Sequence, residues 1–256
     1  MSIAGGSIRG SGGVVVTGGA TVVLRDINFE GLFVDARDAG TSATLTNVRI
    51  ADSPSDGICA RRCASVTAMQ TDVKGSACFG VSVVDGAEFV AGDGSIVDSG
   101  NSGVFVSSRS SIACDGLRVS GNGKVQQHGS VLLQDAAGCI EGGSIVDNFG
   151  HGVSAQLGST VTLDTVVVEN NGIHAAGDGS VITLSDNCLL SSAVDGREQS
   201  RDTMLLKGDG GRSRANAMRE CQDCCRRRVR RPFHHAQRLT LKCPRCCSSW
   251  RRKRRA

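Results

Sequence analysis

The sequence contains no tyrosine, one tryptophan and three prolines, and aromatic residues make up only 3% of its 256 positions. A globular core of this size usually draws much of its buried area from large rings. Here the apolar mass has to come from Val, Ile, Leu and Ala. No run approaches the ~20 apolar residues that a bilayer-spanning helix needs, so no membrane span is expected. The opening MSIAGGSIRG has no long apolar stretch behind a basic start and does not read as a signal peptide.

What the chain has in excess is glycine, 34 residues, interleaved with Ser, Thr, Asn and Asp. Short β-branched runs separated by such residues suit many brief strands joined by tight turns. The net charge of +4 conceals a division. Residues 197–256 hold 19 Lys and Arg against 5 Asp and Glu, whereas residues 1–196 hold 10 against 20. An acidic body therefore carries a basic tail, an asymmetry that bears on partners.

An imperfect repeat organises the body. The segment VSVVDGAEFVAGDGSIVDSGNSG from Val81 aligns with SVLLQDAAGCIEGGSIVDNFGHG from Ser130 and VSAQLGSTVTLDTVVVENNG from Val153. Units beginning at Leu32, Ile58, Val104 and Ile173 follow the same plan. An apolar-x-apolar triplet is followed by a small-residue turn and a second alternating strand. A polar turn, a third short strand and a closing N-x-G or D-x-G turn complete the unit. Alternation at period two marks strands. Three strands in 20–26 residues cannot form a core alone, but stacked units share a continuous one. The expected fold is all-β: a parallel β-helix of about eight coils over residues 1–196, then a linker at 197–220 and a Cys/Arg-rich tail at 221–256.

The repeat resembles the pectin-lyase-like superfamily of right-handed parallel β-helix proteins, over about residues 1–196. The resemblance implies the handedness of the coil and favours a secreted or cell-surface location. It is a poor guide to activity, because this fold carries lyases, hydrolases, epimerases, adhesins and non-catalytic proteins. It also implies that a sugar-processing site would lie on the outward face of the first sheet and its adjacent turns.

The first residues are themselves repeat sequence: SIAGGSIRGSGGVVVTGG aligns with the stretch from Phe89. The chain thus enters in mid-coil, and it is expected to be a fragment of a longer β-helix or to dock its first coil on another chain.

On the first sheet, Leu32, Val34, Ile58, Ala60, Val81 and Val83 are expected to face inward. The outward column is read as Val15, Phe33, Cys59, Ser82, Phe105, Val131, Ser154 and His174. Beside it run Thr17, Asp35, Arg61, Val84, Ser107, Leu133, Gln156 and Ala176. Cleaving a glycosidic bond takes two carboxylates about 5–9.5 Å apart, and these columns hold Asp35 alone. The segment GHGVSAQLG at 150–158 is similar to the Gly-His-Gly segment of polygalacturonases, which would give His151 that family's histidine position. The family's Asn-Thr-Asp, Asp-Asp and Arg-x-Lys motifs are absent, and GHG stands where the neighbouring coil has NSG. The repeat therefore reads His151 as a variable turn residue. His151 and Asp164 remain the catalytic candidates, and Phe105 and His174 the candidates for sugar binding. Asp93, Asp98, Asp115, Asp147 and Asp186 fall in turns, which their side chains favour. Stacked turns of this kind could hold Ca²⁺, but no calcium-binding nonapeptide is present. Several of the six body cysteines are expected as small apolar core residues, with a disulfide framework as the alternative.

In the tail, Cys221 and Cys224 form one C-x₂-C and Cys243 and Cys246 another, 18 residues apart. That spacing suits a four-cysteine zinc site, and the surrounding arginines suit nucleic acid. The competing readings are a disordered tail, given how little apolar sequence lies between the pairs, and an out-of-frame coding segment.

Three classes of function stay open, the third being a nucleic-acid- or zinc-binding protein acting through its tail. The leading expectation is a non-catalytic β-helix presenting an extended binding surface, for polysaccharide or at a cell surface bearing glycans. The alternative is a polysaccharide lyase or glycoside hydrolase, or a fragment of one.

Overall fold

A computed structural model describes residues 1–125, 130–175, 179–185 and 187–191. These contain 21 strands, every pairing is parallel with the coil above or below, with register shifts between Arg9 and Gly12 and between His151 and Val153, and no helix is present among them. The first strands are long and bend round corners: β1 (Ser2–Val16), β2 (Thr21–Arg37) and β3 (Ser42–Ala51). The chain then settles into three strands per coil. These are β4 (Ile58–Arg61), β5 (Ser65–Met69) and β6 (Asp72–Lys74), then β7 (Val81–Val84), β8 (Glu88–Gly92) and β9 (Ser95–Val97). Next come β10 (Val104–Ser107), β11 (Ser111–Asp115) and β12 (Arg118–Ser120), followed by β13 (Val131–Gln134), β14 (Ala137–Glu141) and β15 (Ser144–Val146). The last two coils are β16 (His151–Gln156), β17 (Thr160–Asp164) and β18 (Val167–Glu169), then β19 (Gly172–Ala175), β20 (Val181–Leu184) and β21 (Leu189–Ser191). The solenoid has about eight turns. At ~4.8 Å per paired strand it is a rod roughly 38 Å long.

The coil presents three faces. Sheet A stacks the end of β2 with β4, β7, β10, β13, β16 and β19. Sheet B stacks β3, β5, β8, β11, β14, β17 and β20, and sheet C stacks β6, β9, β12, β15, β18 and β21. The core is an aliphatic column inside them, with Phe29 and Phe89 as its buried rings. Sizes compensate within a coil. Leu133 occupies a sheet A position where the adjacent coils have Val106 and Ala155. Opposite it, sheet B has Gly138 where its neighbours have Ile112 and Val161. A Cβ on Gly138 would stand 3.0 Å from Leu133 Cδ2, so the larger side chain fills the room the glycine leaves.

Register departs from the sequence reading at two coils. In the second, the inward pair is Val34 and Ala36, two residues beyond the expected Leu32 and Val34. Leu32 and Phe33 instead pair with Gly12 and Gly13. A Cβ on Gly13 would lie 2.4 Å from Phe33 Cδ2, so Gly13 makes the place for the ring. In the sixth, Val131 and Leu133 face inward and Leu132 outward. The coil starts at Val131 because Ser130 takes the position held by Gly80 and Gly103 in earlier coils, and a one-residue slip exchanges the two faces of a strand.

None of the six described cysteines is in a disulfide. Cys114 belongs to the core and the partly buried Cys188 packs against it, while Cys59 is buried on the outward face, Cys63 is exposed, and Cys78 and Cys139 are partly exposed. Among the described residues β1 pairs with β2 alone, and most of its residues are exposed.

Candidate functional site

With the register corrected, the first outward column of sheet A reads Val15, Asp35, Cys59, Ser82, Phe105, Leu132, Ser154 and His174. Beside it, Arg37 pairs with Arg61 and Arg61 with Val84, and further along Ser107, Gln134 and Gln156 pair in succession. The two-residue shift therefore sets Asp35 between two arginines. Arg37, two residues along the same strand, donates from Nε to Asp35 Oδ2 at 2.6 Å. Arg61, on the next coil, donates from Nε to Oδ1 at 3.0 Å and from Nη2 to Oδ2, a two-point grip. The carboxylate is fully buried, whereas about a third of each arginine side chain is exposed, 35% and 37%. Burial pushes the Asp35 pKa up, but the hydrogen bonds and charges of Arg61 and then Arg37 outweigh it and hold the group below the usual carboxylate range.

A second carboxylate reaches this cluster from the turn before β4. Burial raises the pKa of Asp56, and the nearby Asp35 charge adds to that. The Phe79 amide, the Arg61 charge and the Ser82 hydroxyl oppose it. Asp56 Oδ1 accepts the Phe79 amide at 3.2 Å. Burial also pushes the Cys59 thiol up to about 12, so at neutral pH it is a protonated thiol and a poor nucleophile. One coil on, the ring of Phe79 stacks on Phe105 with centroids 4.7 Å apart and planes 16° from parallel. Sheet A thus carries a closed carboxylate–arginine cluster at β2 and β4 beside a half-buried aromatic pair from the turn before β7 and from β10.

Phe105 is in its expected outward column, and its partner Phe79 comes from a turn that the repeat alone does not single out. His151 starts β16 on sheet A, in the turn column that holds Asp56, Phe79 and Ser102 in other coils. Asp164 ends β17 on sheet B, stacked on Glu141, which is stacked on Asp115. His151 and Asp164 therefore belong to different faces of the rod. The backbone of His174 pairs with Ser154 on sheet A, while its side chain, like Ala176 and Asp186, lies outside the described residues. So do Cys221, Cys224, Cys243 and Cys246 with the rest of the tail. Among the described residues no group of three His, Cys, Asp or Glu side chains is placed to hold a metal ion. Nor is any helix there long and apolar enough to cross a membrane.

A family model described as "Right handed beta helix region" matches residues 30–189. The chain belongs to the right-handed β-helix family. The match runs from the end of β2 to β21 and so takes in Asp35, Asp56, Arg61 and both stacked rings. No curated protein and no solved structure matches the chain.

Asp56, like Arg37 and Phe79, is a residue of this face that the sequence reading did not single out. Its signal was available in the turn before each coil: Asp56 stands where His151 stands, one residue ahead of the glycine that opens sheet A.

Proposed function

We propose that this chain is a non-catalytic β-helix that binds carbohydrate, at a cell surface, through the outward face of sheet A. The observation that carries the reading is the Phe79–Phe105 pair, stacked across adjacent coils beside a carboxylate closed to solvent. Ring faces and edges are apolar platforms for the C–H faces of sugars, and the half-exposed Arg37 and Arg61 supply donors alongside them. Asp35 has its oxygens committed to two arginines, and Cys59 is protonated, so neither offers a base or nucleophile to a substrate. The test is equilibrium binding to a panel of neutral and acidic polysaccharides. Binding should weaken by about tenfold or more in a Phe79→Ala/Phe105→Ala variant, the size of one buried anchor. Unchanged affinity in that variant would sink the assignment.

One observation favours a second reading, a polysaccharide lyase or glycoside hydrolase. Asp35 and Asp56 are carboxylates whose surroundings drive their pKa values in opposite directions, the arrangement that divides acid from base at a catalytic site. Release of sugar products that disappears on Asp56→Asn, His151→Ala or Asp164→Asn would favour this reading over the first.

A further inference from the structure

We infer that Asp56 is a positioning residue of the aromatic surface: by accepting the Phe79 amide it fixes the turn that lays the Phe79 ring on Phe105. The inference rests on the reading of sheet A as a binding face. In the turn before β7, Ala77 donates to Ser53 O at 2.9 Å, Cys78 to Ser55 O at 3.2 Å and Gly80 to Ser102 O at 3.2 Å. These are coil-to-coil backbone bonds. The Phe79 amide goes instead to the side chain of Asp56, at 3.2 Å. Meanwhile Phe79 O accepts the Gly57 amide at 3.0 Å. Asp56 and Gly57 thus hold Phe79 by both of its backbone groups, and the ring so placed meets Phe105 at 4.7 Å.

The groups around Asp56 are Asp35, clamped by Arg37, from β2, Cys59 and Arg61 from β4, and Ser82 from β7. A carboxylic acid keeps a carbonyl oxygen that accepts a hydrogen bond, so the contact with Phe79 does not depend on the charge. Asparagine should therefore replace Asp56, and alanine should not.

The experiment compares the full chain with Asp56→Ala and Asp56→Asn, using three readouts. These are hydrogen exchange at the Phe79 amide, the ring-to-ring nuclear Overhauser contact between Phe79 and Phe105, and polysaccharide affinity. In Asp56→Ala the Phe79 amide should exchange about tenfold faster or more, the ring contact should weaken, and affinity should fall toward that of Phe79→Ala. Asp56→Asn should restore all three to within about twofold. An unchanged ring contact and amide in Asp56→Ala, or an Asn variant that behaves like Ala, overturns the inference. If Asp56→Ala does not fold, the unsubstituted chain decides: a Phe79 amide that exchanges much faster than that of Ala77 overturns it, and comparable protection supports it. A chain that binds no polysaccharide while the exchange and ring results hold would refute the binding reading and leave the role of Asp56 intact.

Discussion

Replacing Arg61 with alanine would leave the buried Asp35 charge with Arg37 as its remaining clamp. Breaking a buried pair leaves an uncompensated charge; with one partner kept, the loss should be about 3 kcal/mol, measured as a shift in the urea midpoint. Arg37→Ala should cost less, because the two-point grip of Arg61 survives. The two aspartates should also leave opposite marks on the pH dependence of stability. The pKa of Asp35 is lowered on folding, so its contribution is present above its ordinary value of 3.8 and is lost as pH falls through the folded value. The pKa of Asp56 is raised on folding, so its contribution is present below 3.8 and is lost as pH rises through the folded value. Denaturation midpoints followed with pH should show Asp35→Asn removing part of the acid-side loss. Asp56→Asn should remove part of the decline on the other side, and should leave the chain at least as stable at neutral pH as the parent.

The strands of one coil are too short to stand alone, and side-chain ladders at the turns help bind coil to coil. Asn122, Asn148 and Asn171 stack beneath the turn before sheet A. Asn148 Oδ1 accepts the Asn122 amide at 3.0 Å, while its Nδ2 donates to Val119 O at 3.1 Å and Val146 O at 3.0 Å. Asn148→Ala strands these buried groups and should cost about 3 kcal/mol; Asn148→Asp should fare no better, since a carboxylate cannot donate to the two carbonyls. Ser76 and Ser99 stand in the same column in earlier coils, with buried Oγ atoms that lack a hydrogen-bond partner. Ser99→Ala should therefore change the unfolding midpoint by no more than about 0.5 kcal/mol.

A second column, at the end of sheet C, is left-handed throughout and runs Asp52, Gly75, Asp98, Gly121, Asp147, Asn170. A Cβ on Gly75 would meet Asp52 Oδ1 at 2.5 Å, and one on Gly121 would meet Asp98 Oδ1 at 2.7 Å. The glycines make room for the carboxylate below, and where Asp147 is followed by Asn170 the amide donates to it at 2.6 Å instead. Gly121→Ala should cost about 1–3 kcal/mol through backbone strain and that contact.

This is also the scale at which the sequence was most and least readable. Period-two alternation located the strands, but LFVDA and VLL each fit more than one register. What resolved them was packing between coils: Phe33 over Gly13, and Ser130 in a glycine position. The Asp35 clamp escaped notice because the shift placed that residue in the wrong column. The Phe79–Phe105 stack escaped because one ring comes from a turn and the other from a strand.

At the scale of the whole molecule, the right-handed β-helix supplies a rigid rod whose sheet A displays side chains at fixed ~4.8 Å intervals. The fold was legible because stacking repeats one local solution, so each coil testifies for its neighbours. The site was legible only in part, since it is built from departures from the repeat: two arginines, two aspartates and two rings on adjoining coils. The claim that this face binds and does not cleave is tested most directly by incubating the chain with a polysaccharide to which it binds and measuring polymer length. The account predicts saturable binding that depends on Phe79 and Phe105, with the polymer unshortened. Progressive shortening of the polymer, abolished by replacing Asp56 or His151, would contradict it.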